Sequence, residues 1–164
     1  MNVKLPDVPT TDRRPLQHEF LFEISADLMP GQEIGRTPMG VRTIYYVTGG
    51  SFAGPRISGI VLPGGGDWLL QRGDGTALLD IRATLETDDG HLVYTNYRGY
   101  IYSPPHVLAK QKAGQPLEWS DYYFRTAPFF ETSSEKYAWL NNVLAVGVGE
   151  FGDSTVSYSV YAIK

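Results

Sequence analysis

The chain has 164 residues, of which 42% are hydrophobic and 20% charged, and its formal net charge at pH 7 is -4. This balance is typical of a single globular domain with a sizeable core. An acidic chain has no basic field to attract nucleic acid or anionic lipid, so we expect neither nucleic acid nor membrane among its partners. The absence of cysteine excludes disulfides and thiolate chemistry. No apolar run is long enough for a signal peptide or a membrane helix, and we therefore expect a cytoplasmic protein.

The first residues carry Pro6, Pro9 and Pro15 and show little alternation of apolar and polar side chains. We expect residues 1–17 to form an extended arm and residues 18–164 to form a single domain. The arm and the 11 tyrosines are suited to an interface between subunits, and we expect a homodimer.

Short segments of alternating polarity follow one another along the rest of the chain. A period of two is typical of strands with one buried face, and Gly59 would permit a bulge in one of them. The predicted strands cover residues 18–29, 41–50, 55–66, 67–72, 76–87, 91–103, 121–131, 143–152 and 154–164. Residues 30–40 and 103–120 are predicted to be loops, and residues 133–141 to form the one short helix. Because no βαβ pattern is present, we expect an all-β, antiparallel barrel or sandwich.

Two Asp-Gly pairs predict tight turns that join three consecutive strands into a meander. If Asp88, Asp89 and Gly90 form a three-residue loop, apolar and polar side chains segregate to opposite faces of the second hairpin. A two-residue turn would instead place Ile81 opposite Arg98, so we prefer the first register. Its pairs are Thr87 with His91, Leu85 with Val93, Thr84 with Tyr94, Ala83 with Thr95, Arg82 with Asn96, Ile81 with Tyr97 and Asp80 with Arg98.

Four motifs occur in the order GPRISGIVLPGGGDW, DGTALLDIRATLETDDG, YFRTAPFFET and YAWLNNVLAVGVGE. As a set they resemble the DUF3237 family, also called UPF0311, over residues from about 20 to 164. The resemblance implies a small bacterial or fungal protein that forms an antiparallel β-barrel, here of about 8–10 strands with one short helix. It implies a fold rather than a particular reaction.

The polar face of the second hairpin permits two interpretations. The row of Asp80, Arg82 and Glu86 could be a solvated outer surface with weak ion pairs. It could also be the wall of a pocket, an interpretation favoured by the resemblance, since DIR lies within the family's motif and small barrels hold ligands. Arg82 would then hold an anionic or carbonyl oxygen through its planar fork. Asp80 would orient Arg82 or act as a base, with Tyr94 and Asn96 across from it as substrate contacts.

The glycine-rich stretch PGGGDW contributes two further candidates. It lacks the lysine and the helix that a phosphate-binding loop requires. Asp67 and Trp68 match the family's motif here, and both are candidate substrate contacts. Trp68 could stack on an aromatic substrate or fill the core.

The segment 121–142 contains a second cluster of polar and aromatic side chains. Arg125 and Glu131 could form an acid–base couple at the barrel mouth, or a buried pair with a structural role. Asn141 could donate a hydrogen bond to a substrate carbonyl while Trp139 packs on the substrate, although a structural role for Trp139 is an open alternative.

The three histidines, His18, His91 and His106, have no metal-ligand spacing, and no dinucleotide-binding fingerprint is present. We therefore expect neither a metal nor an organic cofactor. Two functions fit these features. The favoured one is a cofactor-free lyase, isomerase or cyclase that acts by acid–base chemistry on a small carbonyl-bearing molecule, and the abundance of Tyr and Trp favours an aromatic one. The alternative is a non-catalytic carrier or sensor with the same pocket.

Overall fold

The computed structural model describes residues 14–164, which form ten strands, one α-helix and one 3₁₀ helix. The strands are β1 (His18–Leu28), β2 (Gln32–Thr37), β3 (Gly40–Ala53), β4 (Ser58–Val61), β5 (Gly66–Gln71), β6 (Thr76–Thr87), β7 (Leu92–Tyr102), β8 (Tyr123–Glu131), β9 (Ala145–Phe151) and β10 (Thr155–Ile163). The α-helix, α1, spans Pro105–Lys112, and the 3₁₀ helix spans Ala138–Asn142.

The strands close into an eight-stranded antiparallel barrel, which confirms the predicted fold class. The order around the wall is β1, β10, β9, β8, β7 and β6, followed by β4 and β5, which both lie between β6 and β3. The long strand β3 then returns to β1 and closes the wall, while β2 pairs with the first part of β3. Because β4 and β5 share one position in the wall, eight strand positions close the barrel, and closure leaves them without free edges.

The hairpin of β6 and β7 has the register that the turn chemistry predicted. Asp80 pairs with Arg98 and Ile81 pairs with Tyr97. The Thr87 amide donates to the His91 carbonyl at 2.9 Å, and Gly90 has a φ of 83°. Glycine adopts this left-handed conformation without a steric penalty, which explains why the Asp-Gly pair marks the turn.

The pleat of the strands decides which side chains enter the barrel. On β6 the buried residues alternate with more exposed ones, and the apolar set points inward. Five side chains make up this set: Ala77, Leu79, Ile81, Ala83 and Leu85. Toward the end of the barrel where β1 begins, Phe22 packs edge-on against Phe52 and Phe130 with ring centroids 5.5 and 5.9 Å apart. These rings fill that end of the barrel.

Three segments differ from the sequence predictions. Residues 32–37, predicted as a loop, form β2 because they pair with the first residues of β3, with Thr37 opposite Gly40 across a tight turn. The predicted loop 103–120 contains α1, whose first residue is Pro105, a residue type that suits a helix start. Burial of Val107 holds α1 against the barrel. The predicted helix 133–141 is a 3₁₀ helix over Ala138–Asn142, so α-helix is not confined to that region.

The predicted N-terminal arm falls mostly outside the described residues, because the description begins at residue 14. Residues 14–17 have no regular secondary structure, and the Gln17 carbonyl accepts the Lys164 amide at 2.9 Å. Within residues 14–164 there is no helix of the length and apolar character needed to cross a membrane. The arm, the domain boundary and the homodimer stay predictions.

Candidate functional site

A cavity of about 490 Å³ occupies the half of the barrel opposite the Phe22 ring cluster. Its mouth is bordered by Met29 and Pro30 after β1, by Gln111 on α1, and by Phe151 at the end of β9 with residues 152–154 that follow it. Its walls come from side chains of β1, β3–β8 and β10, and most of them are apolar. The volume lies in the range typical of small-molecule sites.

The polar groups of the cavity wall are few and come from different strands. They are Tyr45 on β3, Asp67 on β5, Thr95 and Tyr97 on β7, and Thr155 and Tyr158 on β10. Thr95 donates its hydroxyl to the Phe129 carbonyl at 3.0 Å. The carboxyl of Asp67 and the phenols therefore provide the chemistry of this site.

Asp67 enters the cavity where the ladder between β5 and β6 opens. Bridge pairs occur at Asp67–Ile81 and resume at Leu70–Leu78. In the interval, the Asp67 Oδ1 atom accepts the amide of Asp80 at 3.0 Å, and the Trp68 carbonyl accepts from the Arg42 guanidinium. The side chains of Asp67 and Arg42 thus replace main-chain hydrogen bonds that β5 and β6 do not make with each other here. The bond to the Asp80 amide fixes the position of the Asp67 carboxylate.

Burial changes the ionisation of this carboxyl group. Desolvation raises the pKa of Asp67 to about 6, while the hydrogen bond from the Asp80 amide and the nearby Arg42 charge lower it less strongly. A carboxyl group with a pKa near 6 can hold or release a proton close to neutral pH. Asp67 is therefore the acid–base candidate of the cavity.

Two phenols contribute further polar groups to the cavity. The rings of Tyr97 and Tyr158 pack edge to face with centroids 5.7 Å apart. Burial raises the pKa of Tyr97 and of Tyr158 above the ordinary value of a phenol, and the negative charge of Asp67 adds to both shifts. Both hydroxyls consequently stay protonated near neutral pH and can donate hydrogen bonds to an oxygen atom.

A glycine on β9 determines how much room the cavity has. The Phe124 ring lies against the wall at Gly149, where an added Cβ would lie 2.6 Å from ring atoms. The same ring packs edge to face on Tyr158 at 5.3 Å and lines the cavity. Because Gly149 has no side chain, Phe124 can lie close to β9 and leave the interior open.

Comparison with known proteins adds the family. The family model described as Protein of unknown function (DUF3237) matches residues 16–163. The chain belongs to the DUF3237 family. A UPF0311 protein of Rhodopseudomonas palustris is 38% identical over 132 residues, which cover 80% of this chain and 86% of that protein. A UPF0311 protein of Clostridium acetobutylicum is 33% identical over 137 residues, which cover 83% of this chain and 87% of that protein.

Solved structures of relatives share the fold of this DUF3237 chain. A conserved protein of unknown function from Rhodopseudomonas palustris superposes with a TM-score of 0.86 at 34% identity, covering 93% of this chain and 100% of that one. A beta-barrel like protein from Acinetobacter baumannii gives a TM-score of 0.82 at 38% identity, with 94% and 100% coverage. These likenesses agree with the closed barrel described above.

One relative of this chain has an enzyme name. The protein named hydroalkoxylation enzyme phnH, from Penicillium herquei, is 33% identical over 134 residues, which cover 81% of this chain and 74% of that protein. A solved structure described as an enzyme from Penicillium herquei gives a TM-score of 0.68 at 26% identity, covering 95% of this chain and all of that one.

The prediction that Arg82 points into the barrel is wrong. Arg82 lies on the outer face of β6 with 48% of its side chain exposed, pairs with Asp80 at 3.2 Å and lies over the Trp68 ring at 5.4 Å. Tyr94 and Asn96 are exposed on the same outer face. Because side chains alternate along a pleated strand, inward packing of Ile81 and Ala83 sends Arg82 outward. The solvated-face interpretation therefore describes this row.

The second polar cluster is also outside the cavity. Glu131 is exposed and Arg125 is half-buried, six positions apart on β8, so the predicted couple does not form. The Arg125 guanidinium donates to the Phe124 carbonyl at 2.9 Å instead. Trp139 lies under the Arg56 guanidinium, 4.0 Å from the ring centroid.

The remaining predicted side chain, that of Asn141, is used within the chain. Its Oδ1 atom accepts the Thr132 amide at 2.8 Å, and its Nδ2 atom donates to the Thr132 carbonyl at 2.9 Å. Of the ten predicted site residues, Asp67 lines the cavity and the other nine do not. The functional roles predicted for those nine side chains stay predictions.

Sequence reasoning missed the phenols of the cavity as functional groups. The predicted register placed Tyr97 on the apolar face opposite Ile81, which was a usable signal that its hydroxyl enters the barrel. Tyr158 carries no comparable signal, because its meeting with Tyr97 depends on closure of the barrel. The described residues contain no group of three or more His, Cys, Asp and Glu side chains placed to hold a metal ion. The expected lack of a metal and of an organic cofactor stays a prediction.

Proposed function

We propose that this DUF3237 protein is a cofactor-independent enzyme in which the Asp67 carboxyl group transfers a proton to or from a small molecule in the barrel cavity. The observation that carries this proposal is the combination of an apolar cavity with a half-buried carboxyl whose pKa is raised to about 6. The hydrogen bond to Asp80 uses Oδ1 and leaves Oδ2 without a hydrogen-bond partner among residues 14–164. That oxygen is available to a ligand.

The name of the Penicillium herquei relative favours a particular reaction class. Hydroalkoxylation adds the O–H bond of an alcohol across a carbon–carbon double bond. The hydroxyl oxygen loses a proton, one alkene carbon gains a proton, and a C–O bond replaces the π bond, with no change in the total atom count. A single carboxyl group with a pKa near 6 can serve both proton transfers, so no redox partner is required.

The phenols complete the proposed site. Tyr97 and Tyr158 stay protonated and can donate to the oxygen of a carbonyl or hydroxyl group on the substrate. Donors held in a water-poor cavity stabilise developing negative charge more strongly than donors in bulk water. Under this proposal they take the role of oxygen-binding group that sequence reasoning assigned to Arg82.

The carrier or sensor alternative requires the same cavity without turnover. A direct test uses ortho-prenylphenols and aryl methyl ketones in D₂O, with deuterium at carbon read by mass spectrometry and NMR. We expect cyclic ether formation or α-carbon exchange by the wild type, and a decrease of about 100-fold or more in Asp67→Asn. Glu135→Gln is the matched control, because Glu135 is an exposed carboxylate outside the cavity lining.

Two results would contradict the enzyme proposal. Full turnover by Asp67→Asn would remove Asp67 from the chemistry. Saturable binding of these compounds without any deuterium incorporation would favour the carrier alternative.

A further inference from the structure

The charges that face the cavity are all of one sign. Among the described residues that line it, Asp67 and Asp153 carry a formal negative charge, and no Lys, Arg or His is present. Asp153 lies exposed at the mouth, where water screens its charge. Asp67 lies on the wall inside, among apolar side chains.

The nearest arginines cannot serve a bound anion. The Arg42 guanidinium donates to the Trp68 carbonyl in the gap between β5 and β6. The Arg82 guanidinium lies on the outer face and pairs with Asp80. A carboxylate or phosphate inside the cavity would therefore lose its hydration shell and meet the charge of Asp67 without a compensating cation.

The cavity also lacks the features of a cation site. The rings of Tyr97, Tyr158 and Phe124 pack edge to face on one another, so their faces are partly covered and do not form an open aromatic box. Asp67 already accepts the Asp80 amide through one oxygen. A buried organic cation would have only the other oxygen to replace its hydration shell.

We propose that the cavity selects uncharged molecules and excludes carboxylates and phosphates, and that Asp67 imposes this exclusion. This inference rests on the proposed function in one respect: the proposed function makes the bound uncharged molecule the substrate. The molecule that fits has an apolar body against the wall and an oxygen atom that accepts from Tyr97 or Tyr158.

The test uses three planar probes of nearly the same shape: 2-naphthamide, 2-naphthoate and 2-naphthamidine, which are neutral, anionic and cationic. Binding to the full chain is measured by isothermal titration calorimetry at pH 8 and at pH 5.5. With the Asp67 pKa near 6, about 1% of the protein carries a protonated carboxyl at pH 8. We expect 2-naphthoate to bind on the order of 100-fold more weakly than 2-naphthamide at pH 8.

The pH dependence identifies the group responsible. At pH 5.5 most Asp67 is protonated, and the affinity for 2-naphthoate should rise by roughly 30-fold or more. The other charged or titratable groups around Asp67 are Arg42, Tyr45, Asp80, Tyr97 and Tyr158. Burial raises the pKa of Tyr97 and of Tyr158 further above this pH range.

Two variants distinguish the effect of the Asp67 charge on binding from the effect of the overall negative charge of the chain. Asp67→Asn keeps the shape and the acceptor for the Asp80 amide, and it should bind 2-naphthoate and 2-naphthamide within about threefold of each other at both pH values. Glu135→Gln, the matched control, should discriminate as the wild type does.

Each contrary outcome overturns the inference. These outcomes are discrimination below about tenfold at pH 8, tighter binding of 2-naphthamidine than of 2-naphthamide, no binding of 2-naphthamide at millimolar concentration, or unchanged discrimination in Asp67→Asn. The measurement needs no turnover. A carrier would therefore show the charge selection while failing the deuterium test, which distinguishes failure of the proposed function from failure of this inference.

Discussion

Replacement of Asp67 by asparagine should stabilise the protein at pH 8. In the folded state the pKa of Asp67 is raised from 3.8 to about 6 by burial. At about 1.4 kcal/mol for each tenfold change in proton affinity, this difference in pKa means that ionised Asp67 destabilises the folded state by about 3 kcal/mol. Because the asparagine amide brings its own donors into the cavity, we expect a net gain of about 1–3 kcal/mol in the free energy of unfolding.

The sign follows from proton binding. Between pH 4 and pH 6 the folded protein binds more protons at Asp67 than the unfolded chain does, so this group makes the stability of the wild type fall as pH rises through that window. Asp67→Asn lacks this contribution. The difference between variant and wild type should therefore be small near pH 4, grow through pH 6 and stay constant above pH 7.

The assay is urea unfolding of wild type, Asp67→Asn and Glu135→Gln at pH 4, 6 and 8, with the free energy of unfolding taken by linear extrapolation. The Glu135→Gln control removes an exposed carboxylate and corrects for the change in net charge. A variant that is less stable than wild type at pH 8, with a deficit that grows with pH, would show that ionised Asp67 stabilises the fold. That result would refute our account of its burial and of its role as an acid–base group.

Three further predictions follow from the barrel wall and its assembly. Gly149→Ala should push Phe124 toward the cavity, which would lower the affinity for 2-naphthamide by about tenfold in calorimetry and the free energy of unfolding in urea by about 1–3 kcal/mol. The control Gly73→Ala, which has open space around its added Cβ, should leave both quantities unchanged. Arg82→Ala should change stability by less than about 1 kcal/mol and leave 2-naphthamide binding intact, because its pair with Asp80 is exposed; a loss of about 30-fold in affinity would contradict the outward placement. Sedimentation at micromolar concentration should give a dimer, and a mass near the 18.2 kDa of one chain would reject it.

The local pattern of the sequence predicted most of the barrel wall. Period-two alternation located nine of the ten strands, because burial of one sheet face acts on every second residue. The Asp-Gly pair at residues 89–90 fixed the register of β6 and β7 through the conformation available to glycine. Both signals act within one hairpin, where the interacting residues are close in sequence.

Two segments were predicted less well. The strand β2 pairs with the first residues of β3 across a tight turn, but the register shifts between Glu33 and Gly35, and this irregularity breaks the period-two alternation that marks a strand. The helix α1 forms where Val107 occupies a buried position on the barrel, and that position is not visible in the local sequence. Weak local periodicity in both segments is typical of a loop, which explains the two predictions.

Identification of the site required the tertiary structure, whereas most of the fold could be predicted without it. The sequence contained a charged row on β6 and a single acidic residue, Asp67, in a glycine-rich stretch, and charge density favoured the row. Barrel closure turned the row outward, because the larger apolar set of β6 fills the interior. The same closure brought Asp67 and Tyr97 into one cavity with Tyr158, although β5 and β10 are far apart in the chain. The raised pKa of Asp67 is likewise a product of burial, a quantity that no local pattern contains.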